Sequence, residues 1–114
     1  MKIAKKPWGD EKHFIFNKKC TVKILSVKPK GILSLQKHKK RNEFWYFLTE
    51  GYVQLGNKKK KIKKGKILTI KKNQAHRLFA KNKKVDVLEI SYGSFDPKDI
   101  VRIEDVYGRL EKKK

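Results

Sequence analysis

The sequence has few of the features that accompany secretion or insertion into a membrane. It contains one cysteine, Cys20, so no internal disulfide can form, which agrees with a reducing compartment. The longest unbroken apolar run, Phe44 to Leu48, is far shorter than the ~20 residues that cross a bilayer, and residues 1–6 lack the apolar segment of a signal peptide. We therefore expect a cytoplasmic protein without a membrane partner. Because Cys20 adjoins an apolar segment, we expect its thiol to lie in or near the core.

Acidic residues are also scarce, and the formal net charge is +21, with 32 Lys and Arg against 11 Asp and Glu. Such a charge attracts nucleic acids by releasing counterions from phosphates. However, lysine outnumbers arginine 28 to 4, and most lysines fall in expected turns or at strand edges. Base recognition favours arginine, so this distribution is more typical of solvated loops than of a dedicated nucleic-acid surface.

At 114 residues and 38% apolar content, the chain is sized for one core. We expect residues 1–114 to form a single domain with a frayed tail at 111–114. Sustained helical periodicity is missing, except that Pro97 to Val106 could form a short helix or a last strand. Short apolar or alternating segments separated by turn residues predict an all-β fold, a jelly-roll sandwich or barrel. The expected strands are His13 to Phe16, Cys20 to Val27, Ile32 to Leu35, Glu43 to Leu48, Tyr52 to Leu55, Ile67 to Ile70, Ala75 to Ala80 and Val85 to Tyr92.

One group of polar side chains has the composition of a metal site. Gln36 and His38 are two residues apart and so share a face of a strand, and Glu43 begins the next strand after a short basic turn. His76 comes from a later strand. Two imidazoles, a carboxylate and an amide oxygen suit a divalent Zn, Mn, Fe, Ni or Co ion. Either histidine alone would be an ordinary surface or core residue, but together the four favour a metal centre.

Four stretches of sequence form a pattern that runs from Pro7 to Arg109. They are Lys6-Pro7-Trp8-Gly9, Leu33-Ser34-Leu35-Gln36-x-His38-x-x-Arg41-x-Glu43-x-Trp45, His76-Arg77-Leu78 and Asp99-Ile100-Val101-Arg102-x-x-Asp105-x-Tyr107-Gly108-Arg109. In this pattern the chain resembles the cupin superfamily, and within it the cupin domain of type II mannose-6-phosphate isomerases, often found fused behind a mannose-1-phosphate guanylyltransferase.

The resemblance implies a cupin jelly roll that interconverts mannose 6-phosphate and fructose 6-phosphate. It also implies Gln36, His38, Glu43 and His76 as metal ligands. By the same likeness, two basic residues important for the sugar phosphate are Arg41 and Arg109.

Several positions differ from the pattern of that family. Ala80 replaces an asparagine, and one extra residue lies between Glu43 and Gly51. Lys30 replaces the glycine of a Pro-Gly turn, although Gly31 beside it could take its place. Lys71 and Asn73 replace a proline and a glycine before the second-motif histidine.

Isomerisation of an aldose to a ketose also needs a base that moves a proton between adjacent carbons. The sequence leaves this base unassigned, with Lys28, Asp105, Tyr107 or a metal-bound hydroxide as candidates. Two other functions stay open: a non-enzymatic, metal-binding cupin that binds a sugar phosphate, and a basic protein associated with nucleic acid. The run Phe44 to Phe47 places large apolar groups on both faces of one strand, which favours a homodimer.

Overall fold

The computed structural model describes residues 2–94 and 96–108, so the expected tail at 111–114 and Arg109 lie outside the described residues. Eleven strands account for the regular structure of this part of the chain. They are β1 (Lys2–Lys6), β2 (Gly9–His13), β3 (Cys20–Val27), β4 (Leu35–Lys37), β5 (Arg41–Phe47), β6 (Gly51–Leu55), β7 (Lys58–Ile62), β8 (Ile67–Ile70), β9 (His76–Phe79), β10 (Val85–Gly93) and β11 (Val101–Glu104).

The strands form two main sheets and a separate hairpin. One sheet has the order β3-β10-β5-β8, and the other has the order β11-β4-β9-β6-β7. Among the described strands, β1 pairs only with β2. From β3 onward the chain passes repeatedly from one sheet to the other, and all pairings are antiparallel. This is the arrangement of a jelly roll, so the all-β prediction is confirmed. Within the described residues, no helix is long and apolar enough to cross a membrane.

The core lies between the two main sheets because alternate residues of each strand point inward. Trp45, Phe47 and Val87 come from the four-stranded sheet, and Val53 and Leu78 come from the five-stranded sheet. All five are almost completely buried. At roughly 1.5–3 kcal/mol for each buried large apolar side chain, this layer is the main source of stability and fixes the register of the strands that reach the polar end of the barrel.

Most of the predicted strands are present, but several expectations were wrong. The strand expected at Ile32 to Leu35 is displaced, since β4 runs from Leu35 to Lys37 and Ile32 forms only an isolated bridge with Phe79. Residues 14–16 are not a strand, because only His13 belongs to β2 and the chain then crosses the outer face of the four-stranded sheet, where Phe14 packs edge-on against Tyr46 at 5.7 Å. Cys20 is exposed rather than in the core. Its side chain shares the outward face of β3 with Val22, while Val27 points into the core.

The segment Pro97 to Val106 contains a last strand, β11, and no helix. Three strands were missed, namely β1, β2 and β7. The reason is clearest for β7, whose sequence Lys-Lys-Lys-Lys-Ile has no apolar alternation. It is held instead by the register of its hairpin with β6 across the turn at Gly56, whose φ of +57° suits glycine.

The turn after β3 shows how the chain accommodates Lys30. This residue has a φ of +65°, in the left-handed region that lysine disfavours. The suggestion that Gly31 takes over the role of the missing glycine is therefore wrong. Gly31 serves another purpose, since a Cβ atom at this position would lie 2.8 Å from a methyl group of Val27. Asn73 likewise has a φ of +63°, which asparagine tolerates better than most residues.

Strand β5 is covered on both faces within one chain. Trp45 and Phe47 face the core, Phe44 stacks on Tyr92 at 5.2 Å, and Tyr46 meets Phe14. Burial of this strand therefore needs no second subunit. The homodimer stays a prediction. Strand β5, from which it was expected, gives no reason for a dimer, because both of its faces are covered within one chain.

Candidate metal centre

Four polar side chains meet at the end of the barrel where β5 begins and β10 ends. Gln36 of β4 lies directly opposite His76 of β9, and directly opposed residues of antiparallel strands project from the same face. His38 follows β4 by one residue, and Glu43 occupies an inward position of β5 between Arg41 and Trp45. The structure thus brings together the four residues that the sequence singled out as metal ligands.

The nitrogen and oxygen atoms of three of these side chains converge on one small volume. His38 Nε2 lies 3.0 Å from Glu43 Oε1, and His76 Nε2 lies 3.8 Å from the same oxygen. One donor atom from each of the three residues falls within 4.8 Å of the others. All three side chains are at most 3% exposed. Within the described part of the chain, Glu43 Oε1 and His76 Nε2 have no hydrogen-bond partner, which is costly for buried polar atoms unless something else binds them.

Both imidazoles are fixed in the tautomer that a metal needs. His38 Nδ1 donates to the main-chain oxygen of Asp99 at 2.6 Å, and His76 Nδ1 donates to the main-chain oxygen of Gln74 at 2.8 Å. A carbonyl oxygen only accepts, so the proton of each neutral ring resides on Nδ1 and the lone pair is on Nε2. Such carbonyl contacts are the usual support of metal-ligating histidines.

The segment before β11 holds His38 in place through Asp99. The Asp99 carboxylate accepts hydrogen bonds from the main-chain amides of Lys39 and Lys40, both at 2.9 Å. Its main-chain oxygen at the same time accepts from His38. One residue from a distant part of the sequence therefore fixes the turn after His38 as well as the orientation of its ring.

Gln36 is close to the cluster but presents its nitrogen to it. Its Nε2 lies 3.5 Å from His38 Nε2, while its Oε1 accepts a hydrogen bond of 2.6 Å from the hydroxyl of Ser34. Rotation of the amide by 180° would turn the oxygen toward the cluster, and Ser34 could then accept from the nitrogen, since a hydroxyl both donates and accepts. Ligation through Gln36 oxygen therefore requires that rotation.

Burial strongly affects the titration of the cluster. Burial alone would raise the pKa of Glu43, but hydrogen bonds and the positive charge that His38 and His76 carry when protonated outweigh it, so this pKa lies well below its ordinary value. Burial lowers the pKa of His76. At neutral pH the site therefore offers a carboxylate and a neutral His76, the protonation states in which these groups bind a metal.

Arg41 belongs to the same cluster and is not a surface residue. It is 8% exposed, its Nη2 lies 3.2 Å from His38 Nε2, and its Nε lies 3.5 Å from Glu43 Oε1. The guanidinium therefore donates to the ring atom that would bind a metal, so an ion could reach His38 only after this contact opens. Arg109, the other predicted phosphate-binding residue, lies outside the described residues.

Sequence reasoning missed a second carboxyl group behind the centre. Glu89 of β10 is 6% exposed, and the indole of Trp45 donates to Glu43 at 3.1 Å and to Glu89 at 3.2 Å. Burial, together with the hydrogen bond and charge of Glu43, raises the pKa of Glu89 to about 8. A signal was available, because Glu89 is a charged residue on the inward face of β10, the face that carries Val85 and Val87.

Arg102 was also missed. It lies opposite Gln36 in the pairing of β11 with β4, so its side chain projects from the same inward face of the sheet as Gln36. It is half-buried, and its buried Nε has no hydrogen-bond partner among the described residues. A buried arginine nitrogen of this kind is suited to bind an anion that enters the barrel.

The three side chains considered as catalytic bases lie away from this centre. Lys28 comes directly after the last residue of β3. Thr21, near the start of the same strand, lies in the row of paired residues that contains Glu43. Lys28 is seven residues further along the chain, which corresponds to ~23 Å along a strand. Tyr107 lines a surface pocket with Lys28 at that far end. Asp105 follows the end of β11 that runs away from His38. None of the three is therefore placed to act on a substrate bound beside His38 and Glu43.

A jelly roll with two histidines and a glutamate converging inside one end of the barrel is a cupin, and this end is its candidate metal centre. A solved cupin-2 domain from Rhodospirillum rubrum has this fold, with a TM-score of 0.63 over 74% of this chain and 58% of its own, at 18% identity. The chain belongs to the family described as mannose-6-phosphate isomerase C-terminal, whose model matches residues 2–105.

Curated relatives carry this domain as part of a much longer chain. The xanthan biosynthesis protein XanB of Xanthomonas campestris is 33% identical over 107 residues, and a mannose-1-phosphate guanylyltransferase of Klebsiella pneumoniae matches equally well. In both, the match covers 91% of this chain. This chain spans only 23% of the length of either relative.

Proposed function

We propose that the protein is a metal-dependent aldose-ketose isomerase that interconverts mannose 6-phosphate and fructose 6-phosphate. The observation that carries the proposal is the pair of histidines, each of which donates its Nδ1 proton to a carbonyl and turns its Nε2 toward Glu43 Oε1, at 3.0 Å for His38 and 3.8 Å for His76. The family to which the chain belongs supplies the reaction class, and the unpartnered donor atoms of Glu43 and His76 fit a bound ion.

His38, Glu43 and His76 would hold the ion, with Gln36 as a fourth ligand once its amide has turned. Zn, Mn, Co, Ni and Fe all accept this ligand set. When bound, the ion supplies a Lewis acid that stabilises negative charge on the sugar oxygens as a proton leaves the adjacent carbon. Glu89 and Trp45 lie behind Glu43. The hydrogen bond from the Trp45 indole fixes the direction of the Glu43 carboxylate, and the same N–H group also donates to Glu89.

Two arginines provide the positive charge that a phosphate requires. Arg41 stands beside the ligands, and once its contact with His38 opens its guanidinium becomes available to the substrate. Arg102 approaches from β11 with a buried nitrogen that has no hydrogen-bond partner among the described residues. A guanidinium can bind two phosphate oxygens at once, which positions the sugar as well as retaining it.

The test is a coupled assay for fructose 6-phosphate formed from mannose 6-phosphate. The protein is stripped with a chelator and reloaded separately with Zn, Mn, Co, Ni and Fe. We expect one or more metals to restore turnover in the wild type and none to do so in His38→Ala. His13→Ala is the matched control, because His13 is a partly exposed histidine of the N-terminal hairpin that pairs with Glu11. Metal binding without turnover under any loading would contradict the proposal.

A further inference from the structure

Two aromatic rings lie side by side on the outward face of the five-stranded sheet. Tyr52 of β6 is paired with Phe79 of β9, and both point away from the core because their neighbours Val53 and Leu78 point into it. The ring centroids are 5.5 Å apart, and the ring planes differ by 25°. Both residues are only partly buried. The two rings therefore form an aromatic platform that solvent can reach.

Lysine side chains surround this platform. Lys59 and Lys61 of β7 project from the same outward face, because they pair with Gln54 and Tyr52. Lys81 comes two residues after β9, and its ammonium group lies 4.7 Å from the centroid of the Tyr52 ring. Lysines that are distant in the sequence thus meet around the same two rings. Together they line a cavity of about 480 Å³, formed by Tyr52, Lys59, Lys60, Lys61, Phe79 and Lys81.

The positive surface continues along the molecule beyond the platform. A second cavity, of about 530 Å³, adjoins the first at Tyr52 and Lys81, and three more lysines line it, namely Lys64, Lys83 and Lys84. Glu50 and Asp86 each form an ion pair with one lysine of these cavities, at 3.3 and 3.6 Å respectively. Lysines therefore outnumber carboxylates along both cavities, and an extended anion would be attracted to them.

We infer that this surface binds single-stranded nucleic acid, with unpaired bases stacked on Tyr52 and Phe79 and phosphates bound by the surrounding lysines. Proteins that bind single strands without reading their sequence combine aromatic side chains for the bases with a basic groove for the backbone. Phosphate contacts carry no sequence information, so lysine serves as well as arginine here. The Lys81 ammonium lies over the Tyr52 ring, where a base can replace it and leave it to a phosphate.

The platform is separate from the candidate metal centre. His76 and Phe79 both belong to β9, but His76 projects into the barrel and Phe79 projects outward. Three residues along a strand also separate them by ~10 Å. Loss of the platform should therefore leave the metal affinity of the protein unchanged.

The experiment measures binding of the full chain to labelled strands by fluorescence anisotropy at 100 mM NaCl. One strand is a 12-residue oligothymidylate, and the other has the same sugars and phosphates without bases. We expect the strand with bases to bind roughly tenfold more tightly, because each stacked base adds affinity. Tyr52→Ala should remove most of that difference and leave binding of the baseless strand unchanged. Tyr52→Phe keeps the ring and should behave as the wild type. Circular dichroism checks that both variants are folded.

A second arm tests the lysines through the dependence of binding on salt. The double variant Lys59→Gln, Lys61→Gln removes two charges beside the platform. The matched control Lys18→Gln, Lys19→Gln removes the same charge from exposed positions just before β3, in the other sheet. On a single strand each phosphate contact contributes ~0.7 to the slope of log affinity against log salt. The first variant should therefore lower the slope by up to about 1.4, and the control should not change it.

Three results would overturn the inference. Equal affinity for the strands with and without bases would mean that the lysines attract any polyanion, such as an acidic polysaccharide. Unchanged binding of oligothymidylate to Tyr52→Ala would show that the platform is not used. An equal loss of slope in both lysine variants would mean that net charge alone is responsible.

Discussion

Replacement of Glu89 by glutamine should change how the stability of the metal-free protein depends on pH. Glu89 is buried behind Glu43, and its pKa is about 8 against an ordinary value of 4.5. In the folded state it therefore keeps its proton up to a pH at which the unfolded chain has already lost it. Glutamine has nearly the same shape, stays neutral at every pH and still offers an N–H group to Glu43.

The sign and size of the effect follow from linkage between folding and proton binding. Below pH 4.5 Glu89 is protonated in the folded and in the unfolded state, so it does not change the free energy of unfolding. Between pH 4.5 and 8 the folded state binds more protons than the unfolded state, so Glu89 lowers the free energy of unfolding by ~1.4 kcal/mol for each pH unit. From pH 5 to pH 8 the total is on the order of 3–4 kcal/mol. Glu43 and His76 act in the opposite sense, because their lowered pKa values reduce stability in acid, below about pH 4.5 and pH 6.5 respectively.

The assay is urea unfolding of wild type and Glu89→Gln in a chelating buffer at several pH values between 5 and 8. Between pH 5 and pH 8 Glu43 is ionised in the folded and in the unfolded state, and His76 is present in both proteins, so neither group should contribute to the difference. We expect the variant to gain about 3 kcal/mol over the wild type between pH 5 and pH 8. Glu50→Gln, an exposed glutamate paired with Lys61, should show no such gain. Parallel curves for Glu89→Gln and wild type would refute a buried, protonated Glu89.

Three other changes have defined outcomes. Arg41→Ala should bind metal roughly tenfold more tightly by calorimetry, because His38 Nε2 loses a charged donor worth ~1.5–3 kcal/mol, while turnover falls; weaker metal binding would contradict this geometry. Asp99→Ala removes the acceptor of two backbone amides after His38 and should weaken metal binding about 10- to 100-fold, whereas unchanged affinity would show that the turn holds without it. Lys30→Gly should stabilise the protein by about 1 kcal/mol in urea unfolding, since the residue has a φ of +65°, and a loss of stability would mean that its side chain compensates for the strain.

The sequence was sufficient to predict the strands that are apolar on at least one face. Cys20–Val27 and Ile67–Ile70 have the predicted bounds, because continuous or alternating apolar residues determine which side of a strand is buried. Lys58–Ile62 could not be predicted in this way. Its place at a sheet edge depends on pairing with β6, a contact that the composition of the strand itself does not encode.

The candidate ligands could be predicted because each belongs to a short motif, but their surroundings could not. Asp99 supports His38 from 61 residues away in the sequence, and Glu89 meets Glu43 through the indole of Trp45. Such contacts depend on strand register across the barrel. For the same reason Lys28 could be proposed as a base from its residue type, although the register places it at the far end of β3.

Proton transfer on the sugar phosphate is the most direct test of the proposed isomerase. The metal-loaded protein is incubated with mannose 6-phosphate in deuterium oxide, and the products are followed by NMR. We predict fructose 6-phosphate with solvent deuterium at the carbon that received the transferred proton, and no reaction with His38→Ala. Mannose 6-phosphate that stays unchanged and free of deuterium, although calorimetry shows that metal and sugar phosphate are both bound, would contradict the account.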